Sequence, residues 1–324
     1  MKIRILGGIH ALLGMSALVA GLFWSVDAAA APPGAEECKG CHESYVTAFQ
    51  ATKHGAKANP HSPAANGECA ACHGDGTEHV KAGGGKGVGG IRNPASKSLS
   101  ADERSGICLT CHGGDKHLAF WDSGRHRKNE VSCNNCHTIH PVTDQKVYAQ
   151  LRKGDPVPTP MRTTTRQLEF EICTTCHKQV RAQIGKPSHH PIIEGKLNCS
   201  DCHNPHGALS HAMVKNESVN DLCYTCHADK RGPWMYEHPP VEENCLTCHN
   251  SHGSIHKRLL NEKIPNLCQD CHDWSRHPGT AYGGNQGFPP GLGNTRFLAR
   301  GCVNCHQQIH GTNAPASKGQ RFLR

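Results

Sequence analysis

The stretch Cys245-Leu-Thr-Cys248-His249-Asn-Ser-His252-Gly253 decides how this chain folds, because its C-x-x-C-H pattern accounts for every cysteine of the protein. The 20 cysteines form ten pairs with this spacing: Cys38/Cys41, Cys69/Cys72, Cys108/Cys111, Cys133/Cys136, Cys173/Cys176, Cys199/Cys202, Cys223/Cys226, Cys245/Cys248, Cys268/Cys271 and Cys302/Cys305. A histidine follows every pair: His42, His73, His112, His137, His177, His203, His227, His249, His272 and His306. Chance would not produce this in a chain with 26 His among 324 residues.

This repetition indicates covalent haem attachment. Two thiols three positions apart on one helical turn can add to the two vinyl groups of a haem, and the adjoining histidine then lies beneath the iron as its proximal ligand. Zinc sites and disulfides are the alternatives for paired cysteines, but neither needs a histidine directly after each pair. We therefore expect ten covalently bound haem c groups, and no folding without them.

The composition leaves little for an ordinary core. Apolar residues make up 36% of the chain and aromatic residues 5%, while 35 Gly and 20 Pro favour short segments joined by turns. We expect a multihaem cytochrome c fold, with loops and short α-helices packed around a row of haems and little or no β-sheet. The formal charge of +8 does not predict a nucleic-acid partner, because ten haems would bring about 20 propionates.

A six-coordinate haem needs a second ligand, and 16 His lie outside the motifs. Beyond the leader the only Met residues are Met161, Met213 and Met235, so bis-His ligation is the default. An internal repeat selects ten distal candidates: His54, His79, His126, His140, His190, His206, His238, His252, His277 and His310. Outside the repeat, and expected not to ligate, are His61, His117, His189, His211 and His256.

Spacing limits how these histidines can be assigned. His140, His206 and His252 each lie three residues after a motif histidine, too close to reach the opposite face of the same haem. We expect them to serve neighbouring haems, and spacing alone does not say which iron each one binds. The repeating unit is two motifs plus two free histidines, which gives five units at about residues 31–100, 101–165, 166–215, 216–262 and 263–324.

Residues 1–30 have a basic start, an apolar run and a cluster of alanines before Pro32. This pattern is typical of a cleaved export signal, with a membrane anchor as the alternative. The glycine-rich stretch Lys81–Gly90 lacks the ending of a P-loop, so we expect a flexible loop. Trp121, Trp234 and Trp274 each stand a few residues before a distal candidate, where packing against porphyrin edges would explain them.

If two protein ligands cap every iron, no position is open to a substrate and the chemistry reduces to one-electron exchange. All-histidine ligation favours the lower part of the c-type potential range. The chain would then be a haem wire rather than an enzyme. Two alternatives stay open: a multihaem reductase with one open-coordinate haem, although no C-x-x-C-K motif occurs, and a soluble periplasmic electron shuttle.

The segment from Cys199 to Cys271, with C-S-D-C-H-N-P-H-G and E-N-C-L-T-C-H-N-S-H-G-S, resembles the periplasmic decahaem cytochromes of the MtrA/MtoA/PioA/DmsE family. The similarity extends more weakly over the mature chain, including the segment around His310. It implies bis-His ligation, a place in the periplasm at the outer membrane, and a sheath formed by an outer-membrane β-barrel porin.

The resemblance also implies redox partners. These are periplasmic or inner-membrane cytochromes on one side, and an extracellular multihaem cytochrome or iron itself on the other. Overall resemblance slightly favours the MtoA-like direction, inward from Fe(II), but MtrA-like outward reduction of metals stays open.

Overall fold

The computed structural model describes residues 31–141, 169–272, 302–304 and 306–314. The predicted export signal, Trp274, His277 and Cys305 lie outside these residues. Within them are eleven α-helices: α1 Ala35–Gln50, α2 Ala70–His73, α3 Thr77–Lys81, α4 Ala101–His112, α5 Arg125–Lys128, α6 Glu169–Thr174, α7 Lys178–Ile184, α8 Cys199–Cys202, α9 Val219–Tyr224, α10 Pro239–Glu243 and α11 Asn266–Gln269. Short 3-10 turns stand between them, including Val88–Gly90, Cys133–Asn135, Cys245–Thr247 and Cys302–Asn304.

The two longest of these helices both carry a C-x-x-C-H motif. Helix α1 holds the first motif in its interior and bends at His42, whose φ of −120° and ψ of 41° are not helical. Helix α4 begins with a capping box, in which the Ser100 hydroxyl accepts from the Glu103 N–H and the Glu103 carboxylate accepts from the Ser100 N–H. It ends on its motif histidine, His112.

The other motifs are single turns closed by their own backbone. In each, the N–H of the motif histidine donates to the carbonyl of the first cysteine, as in His137 to Cys133 at 2.8 Å and His249 to Cys245 at 3.1 Å. One closed turn places residues three and four positions apart on the same side. The local sequence therefore builds a two-thiol attachment site without help from the rest of the fold.

Regular strands are absent from the described residues, which contain only isolated β-bridges. Two bridges, His203 with Val214 and His249 with Leu260, close equivalent loops after two motifs. Two others join segments far apart in sequence: Ser188 with Ser254, and Tyr236 with Thr312. This architecture of short helices and loops confirms the predicted fold class.

The chain supplies very little core of its own. Among the described residues, the buried hydrophobic side chains are Ala35, Val46, Phe49, Ala64, Trp121, Ile184 and Val214. Cysteine is normally one of the most buried residue types. Here every described cysteine is left partly or fully exposed by the polypeptide. Their exposure is what haem-attachment residues need, because each thiol must face the space that a porphyrin fills.

Candidate haem sites

The motifs are numbered 1 to 10 in chain order, from Cys38–His42 to Cys302–His306. The structure brings the histidines of motifs 1 to 9 each against one of the distal candidates, with ring centroids 6.0 to 6.4 Å apart. The pairs, in motif order, are His42/His79, His73/His140, His112/His54, His137/His206, His177/His126, His203/His252, His227/His190, His249/His310 and His272/His238. His277, the remaining candidate, lies outside the described residues.

This spacing fits a haem iron between the rings. Two imidazole nitrogens on opposite sides of one metal, each about 2 Å from it, place the ring centroids about 6 Å apart. The donor set is also right, since imidazole pairs on either side of a covalently attached porphyrin are a standard ligation of c-type haem. The residues present therefore fit the group that the cysteine pattern predicts.

The structure shows which distal candidate faces which motif histidine, a question that the sequence spacing did not answer. Even motifs 2, 4, 6 and 8 take a histidine from the following unit: His140, His206, His252 and His310. Odd motifs 3, 5, 7 and 9 take one from the preceding unit: His54, His126, His190 and His238. Each boundary between successive sequence units is thus bridged twice, in opposite directions. Motif 1 differs, because its partner His79 belongs to the same unit.

Backbone carbonyls contact the rings of several distal candidates and fix their orientation. The Nδ1 atoms of His126, His190 and His238 lie 2.8, 2.7 and 3.1 Å from carbonyl oxygens in the following unit. Those oxygens belong to Pro205, Ser251 and Ile309, each directly before a distal histidine of that unit. A protonated Nδ1 donating to a carbonyl leaves Nε2 as the nitrogen available to a metal and raises its basicity.

Two more distal histidines are held in the same way. His140 Nδ1 lies 2.9 Å from the Tyr45 carbonyl oxygen on α1, and His79 Nδ1 lies 3.0 Å from the Val88 oxygen. Val88 belongs to the glycine-rich stretch for which we expect a flexible loop, and this contact places that part of the stretch against α3. Sequence reasoning missed these carbonyls, because any residue type can supply one.

Burial keeps several of these imidazoles neutral, which is the form that binds a metal. It lowers the pKa of His137 and His252, each helped by the partner ring, His206 and His203 respectively. Burial lowers the pKa of His310 to about 4. The pKa is also lowered, first by burial, in His54, His140, His206 and His238.

A glycine follows three of the distal histidines and lets two units approach closely. Gly207, Gly253 and Gly311 have φ of +118°, +151° and +125°. A Cβ on Gly207 or Gly253 would lie 2.2 Å from the Phe120 oxygen or 2.1 Å from the Gln183 oxygen, both in the preceding unit. The dipeptide His-Gly, repeated at 206–207, 252–253 and 310–311, is the sequence signal for this contact.

The cysteines give the order of the attachment sites. Within each unit the first cysteines of its two motifs lie close enough for one thiol to raise the pKa of the other: Cys38 with Cys69, Cys108 with Cys133, Cys173 with Cys199, Cys223 with Cys245 and Cys268 with Cys302. Across unit boundaries the second cysteines are electrostatic neighbours: Cys72 with Cys111, Cys136 with Cys176, Cys202 with Cys226 and Cys248 with Cys271. These two kinds of contact alternate, so each motif adjoins the next in chain order.

The predicted attachment cysteines are not equally enclosed by the polypeptide. The first cysteine of every motif is partly buried, whereas six second cysteines are exposed: Cys41, Cys111, Cys176, Cys202, Cys226 and Cys271. Cys41 is an example, because it lies on α1 in a run, residues 40–45, that is exposed throughout. The polypeptide therefore forms no pocket around the Cys41 thiol. Its assignment to haem rests on the C-x-x-C-H motif alone, and the physical reason for its exposure is that a porphyrin, rather than protein, would cover it.

The histidines expected not to ligate are placed differently. Within the described part of the chain, none of His61, His117, His189, His211 and His256 forms a ring pair with a motif histidine. His189 shows an alternative role: its Nε2 pairs with the Glu194 carboxylate at 2.9 Å and its Nδ1 contacts the Lys186 carbonyl. The ion pair raises the pKa of His189, with the Lys186 contact second.

One-turn C-x-x-C-H attachment sites, nine of which have a second histidine at the spacing of an axial pair, are what a multihaem c-type cytochrome requires. Two family models match the chain: the doubled CXXCH motif at residues 189–232 and 238–277, and the cytochrome c-type protein NrfB-like family at residues 69–157. The multihaem cytochrome MtrA of Shewanella baltica (strain OS185) is 38% identical over 290 residues, covering 89% of this chain and 81% of the relative. The chain belongs to the MtrA family of multihaem cytochromes, and it binds haem c covalently and transfers electrons.

The helices give no sign of a membrane span. Within the described residues, none is both long enough and apolar enough to cross a bilayer.

Proposed function

We propose that the protein is a decahaem electron wire of five two-haem units, with the ten motif histidines as proximal ligands. The distal ligands are His54, His79, His126, His140, His190, His206, His238, His252, His277 and His310. Haem supplies one-electron redox chemistry when bound. The chain supplies the attachment turns, the axial imidazoles and the carbonyls that orient them.

One observation carries this proposal: a cysteine of each motif lies close enough to a cysteine of the next to shift its pKa, from Cys38 to Cys302. Haems attached to neighbouring thiols have neighbouring edges, which favours hopping along one unbranched row. A storage protein or a branched network would not need a strict chain order.

Occupation of both axial positions of each haem iron by histidine would support an electron carrier over an enzyme. Motifs 1 to 9 each have an imidazole pair, and elimination assigns His277 to motif 10. Low-temperature EPR of the oxidised holoprotein tests this, with low-spin ferric signals expected throughout. The same spectrum of a His79→Ala variant calibrates what one open haem looks like. If the wild-type protein shows a high-spin signal as large as that of His79→Ala, and nitrite or cyanide removes it, this would contradict the electron-wire proposal. It would favour a reductase with one open-coordinate haem.

We further propose that the wire sits inside an outer-membrane porin and links periplasmic or inner-membrane cytochromes with iron or a multihaem cytochrome outside the cell. Support comes from the relationship to MtrA. A wire in this place would have to carry electrons across a hydrocarbon core of about 30 Å. Co-purification in detergent tests the partner: a β-barrel protein at about equal amount is expected. Recovery of the cytochrome alone from crosslinked cells would favour a periplasmic shuttle.

For direction, we propose inward transfer from Fe(II), with outward metal reduction as the alternative. The purified complex in liposomes that enclose a redox dye separates them. External Fe(II) should reduce the trapped dye faster than the pre-reduced dye passes electrons to external ferric iron.

A further inference from the structure

Two buried tryptophan N–H groups have no hydrogen-bond partner in the polypeptide. Among the described residues, the indole Nε1 atoms of Trp121 and Trp234 are fully shielded from solvent and unpaired. Trp121 as a whole is 6% exposed. Buried N–H groups in native proteins are nearly always paired, since leaving one unpaired forfeits its hydration without compensation. The missing acceptors must come from something other than this chain's own described residues.

Both indoles lie beside a distal histidine of an even-numbered motif. The Trp121 ring is 6.5 Å from the His206 ring, at an interplanar angle of 67°. Trp234 packs on Gly311, directly after His310, so closely that a Cβ there would lie 2.3 Å from the indole Cδ1. The two tryptophans therefore lie two units apart, Trp121 beside the distal candidate of motif 4 and Trp234 beside the glycine after that of motif 8.

The intervening boundary has a different residue in this role. At Gly253 the approaching side chain is that of His189, whose Cβ would be 3.4 Å from an added glycine Cβ. Both ring nitrogens of His189 are engaged, by Lys186 and Glu194. Motif 6 therefore has a partnered ring where motifs 4 and 8 have an unpaired donor.

A bound haem c offers one kind of strong acceptor at its edge. Its pyrrole nitrogens bind iron and its vinyl groups become thioethers, which leaves the two propionate carboxylates. A neutral N–H donating to a carboxylate forms a charge-assisted hydrogen bond, stronger than one to a neutral oxygen.

We propose that Trp121 and Trp234 are positioning residues that donate their indole N–H to haem propionates, Trp121 at the haem of motif 4 and Trp234 at the haem of motif 8. This inference rests on the proposed bis-His haem sites. The donor draws negative charge away from the propionate, which stabilises the reduced haem. Motifs 4 and 8 thereby acquire higher potentials than motif 6, which lacks the donor.

Trp121→Phe and Trp234→Phe in the holoprotein test this, because each keeps an aromatic ring and removes only the donor. Ultraviolet resonance Raman of wild type should show tryptophans with strongly hydrogen-bonded N–H, and each variant should lose one such contribution. Redox-difference infrared spectra with carboxyl-labelled haem should show a propionate band shift in each variant. Phe120→Leu, which alters the neighbouring ring without touching a donor, is the matched control and should leave the propionate bands unchanged.

Spectroelectrochemical titration gives a second readout. One haem in each variant should move to lower potential, with a change of about tenfold in its oxidised-to-reduced ratio, or about 59 mV for one electron. Unchanged propionate bands in both variants, whether the indoles prove unbonded or bonded to water, would overturn the proposal. Low-spin EPR signals in the variants would show that the haem sites are intact. Failure of the tryptophan–propionate proposal is therefore distinguishable from failure of the proposed bis-His electron wire.

Discussion

The first haem site and the boundary between the third and fourth units reach the same axial geometry in different ways. At that boundary the histidine pairs His203/His252 and His227/His190 run in opposite directions, so each unit completes the other. At the first motif no earlier motif precedes it in this sequence, and His42 pairs with His79 of its own unit. The glycine-rich loop holds His79 through the Val88 carbonyl, as a neighbouring unit does elsewhere.

The comparison shows that an interior haem site is also a joint, whereas the first site is a cap. In repeat proteins each unit is stabilised mainly by its neighbours, and terminal units need special caps. Under the proposed bis-His ligation, the interaction between neighbouring units would be ligation itself. Loss of an interior ligand should therefore disturb two units, and loss of the first distal ligand only one.

We expect the largest effect on folding from removal of all haem, which affects both regions together. Expression in a host without cytochrome c maturation should give a chain with no cooperative thermal transition, because the described part of the chain has so few buried hydrophobic side chains. Circular dichroism and limited proteolysis would check this. A compact apoprotein with a sharp transition would mean that the polypeptide has a core independent of haem.

Next is loss of one interior ligand. His252→Ala should open the haem of motif 6, giving a high-spin signal of about one haem per molecule. It should also loosen the joint between the third and fourth units, seen as faster proteolysis between them. His79→Ala is the matched comparison: the same high-spin signal is expected, without faster cleavage at any unit boundary. Equal rates of cleavage at the unit boundaries in His252→Ala and His79→Ala would contradict the distinction between an interior site that joins two units and a first site that caps one.

Gly253→Ala tests the joint without removing a ligand. Its φ of +151° and the 2.1 Å approach of an added Cβ to the Gln183 oxygen should cost about 1–3 kcal/mol of stability. Gly106→Ala on α4 is the control, because an added Cβ there meets nothing within 4 Å. Denaturant unfolding followed at the Soret band compares them. A Gly253→Ala protein as stable as Gly106→Ala would show that close approach at the boundary is unnecessary.

Gly89→Ala tests the cap. An added Cβ would lie 2.2 Å from the His79 backbone nitrogen, so the loop must move and the axial ring with it. A partial high-spin fraction at motif 1 is expected in EPR. Gly87→Ala, with a similar φ of +74° but nothing within 4 Å of its Cβ, should stay low-spin. Identical spectra of the two variants would mean that the loop does not position His79.

The smallest effect concerns the anchoring of α1. The Glu68 carboxylate accepts from the Ala35 N–H at 2.5 Å and pairs with Lys57 at 2.8 Å; the Lys57 hydrogen bond, then the Ala35 contact, lower the pKa of Glu68. Because the folded pKa is the lower one, this stabilisation is present above the ordinary Glu pKa of about 4.3 and is lost as the pH falls further.

Glu68→Gln should therefore lower stability at pH 7 by about 1 kcal/mol or less. The difference from wild type should shrink toward pH 3. Chemical unfolding at the two pH values measures it, and Glu43→Gln, on the exposed part of α1, serves as the control. A difference that persists unchanged in acid would rule out the ionised carboxylate as its source.

Much of the site was predictable because its determinants are local. The attachment residues follow from a five-residue motif, and the nine distal candidates within the described residues all reach a motif histidine. The expectation that His140, His206 and His252 turn to neighbouring haems agrees with their rings lying beside His73, His137 and His203. The orienting carbonyls of residues such as Pro205 were not predictable, because backbone acceptors have no residue-type signature.

The sequence by itself determined covalent attachment of haem c at five-residue C-x-x-C-H turns, and it predicted imidazole as the prevailing ligand. Only the tertiary structure decided which histidine faces which motif. The reason is the range of the interactions. A C-x-x-C-H turn is complete within one hydrogen-bonded loop of backbone, whereas His126 is oriented by a carbonyl 79 residues away. Such a partner is chosen by how two units dock, which no local pattern encodes.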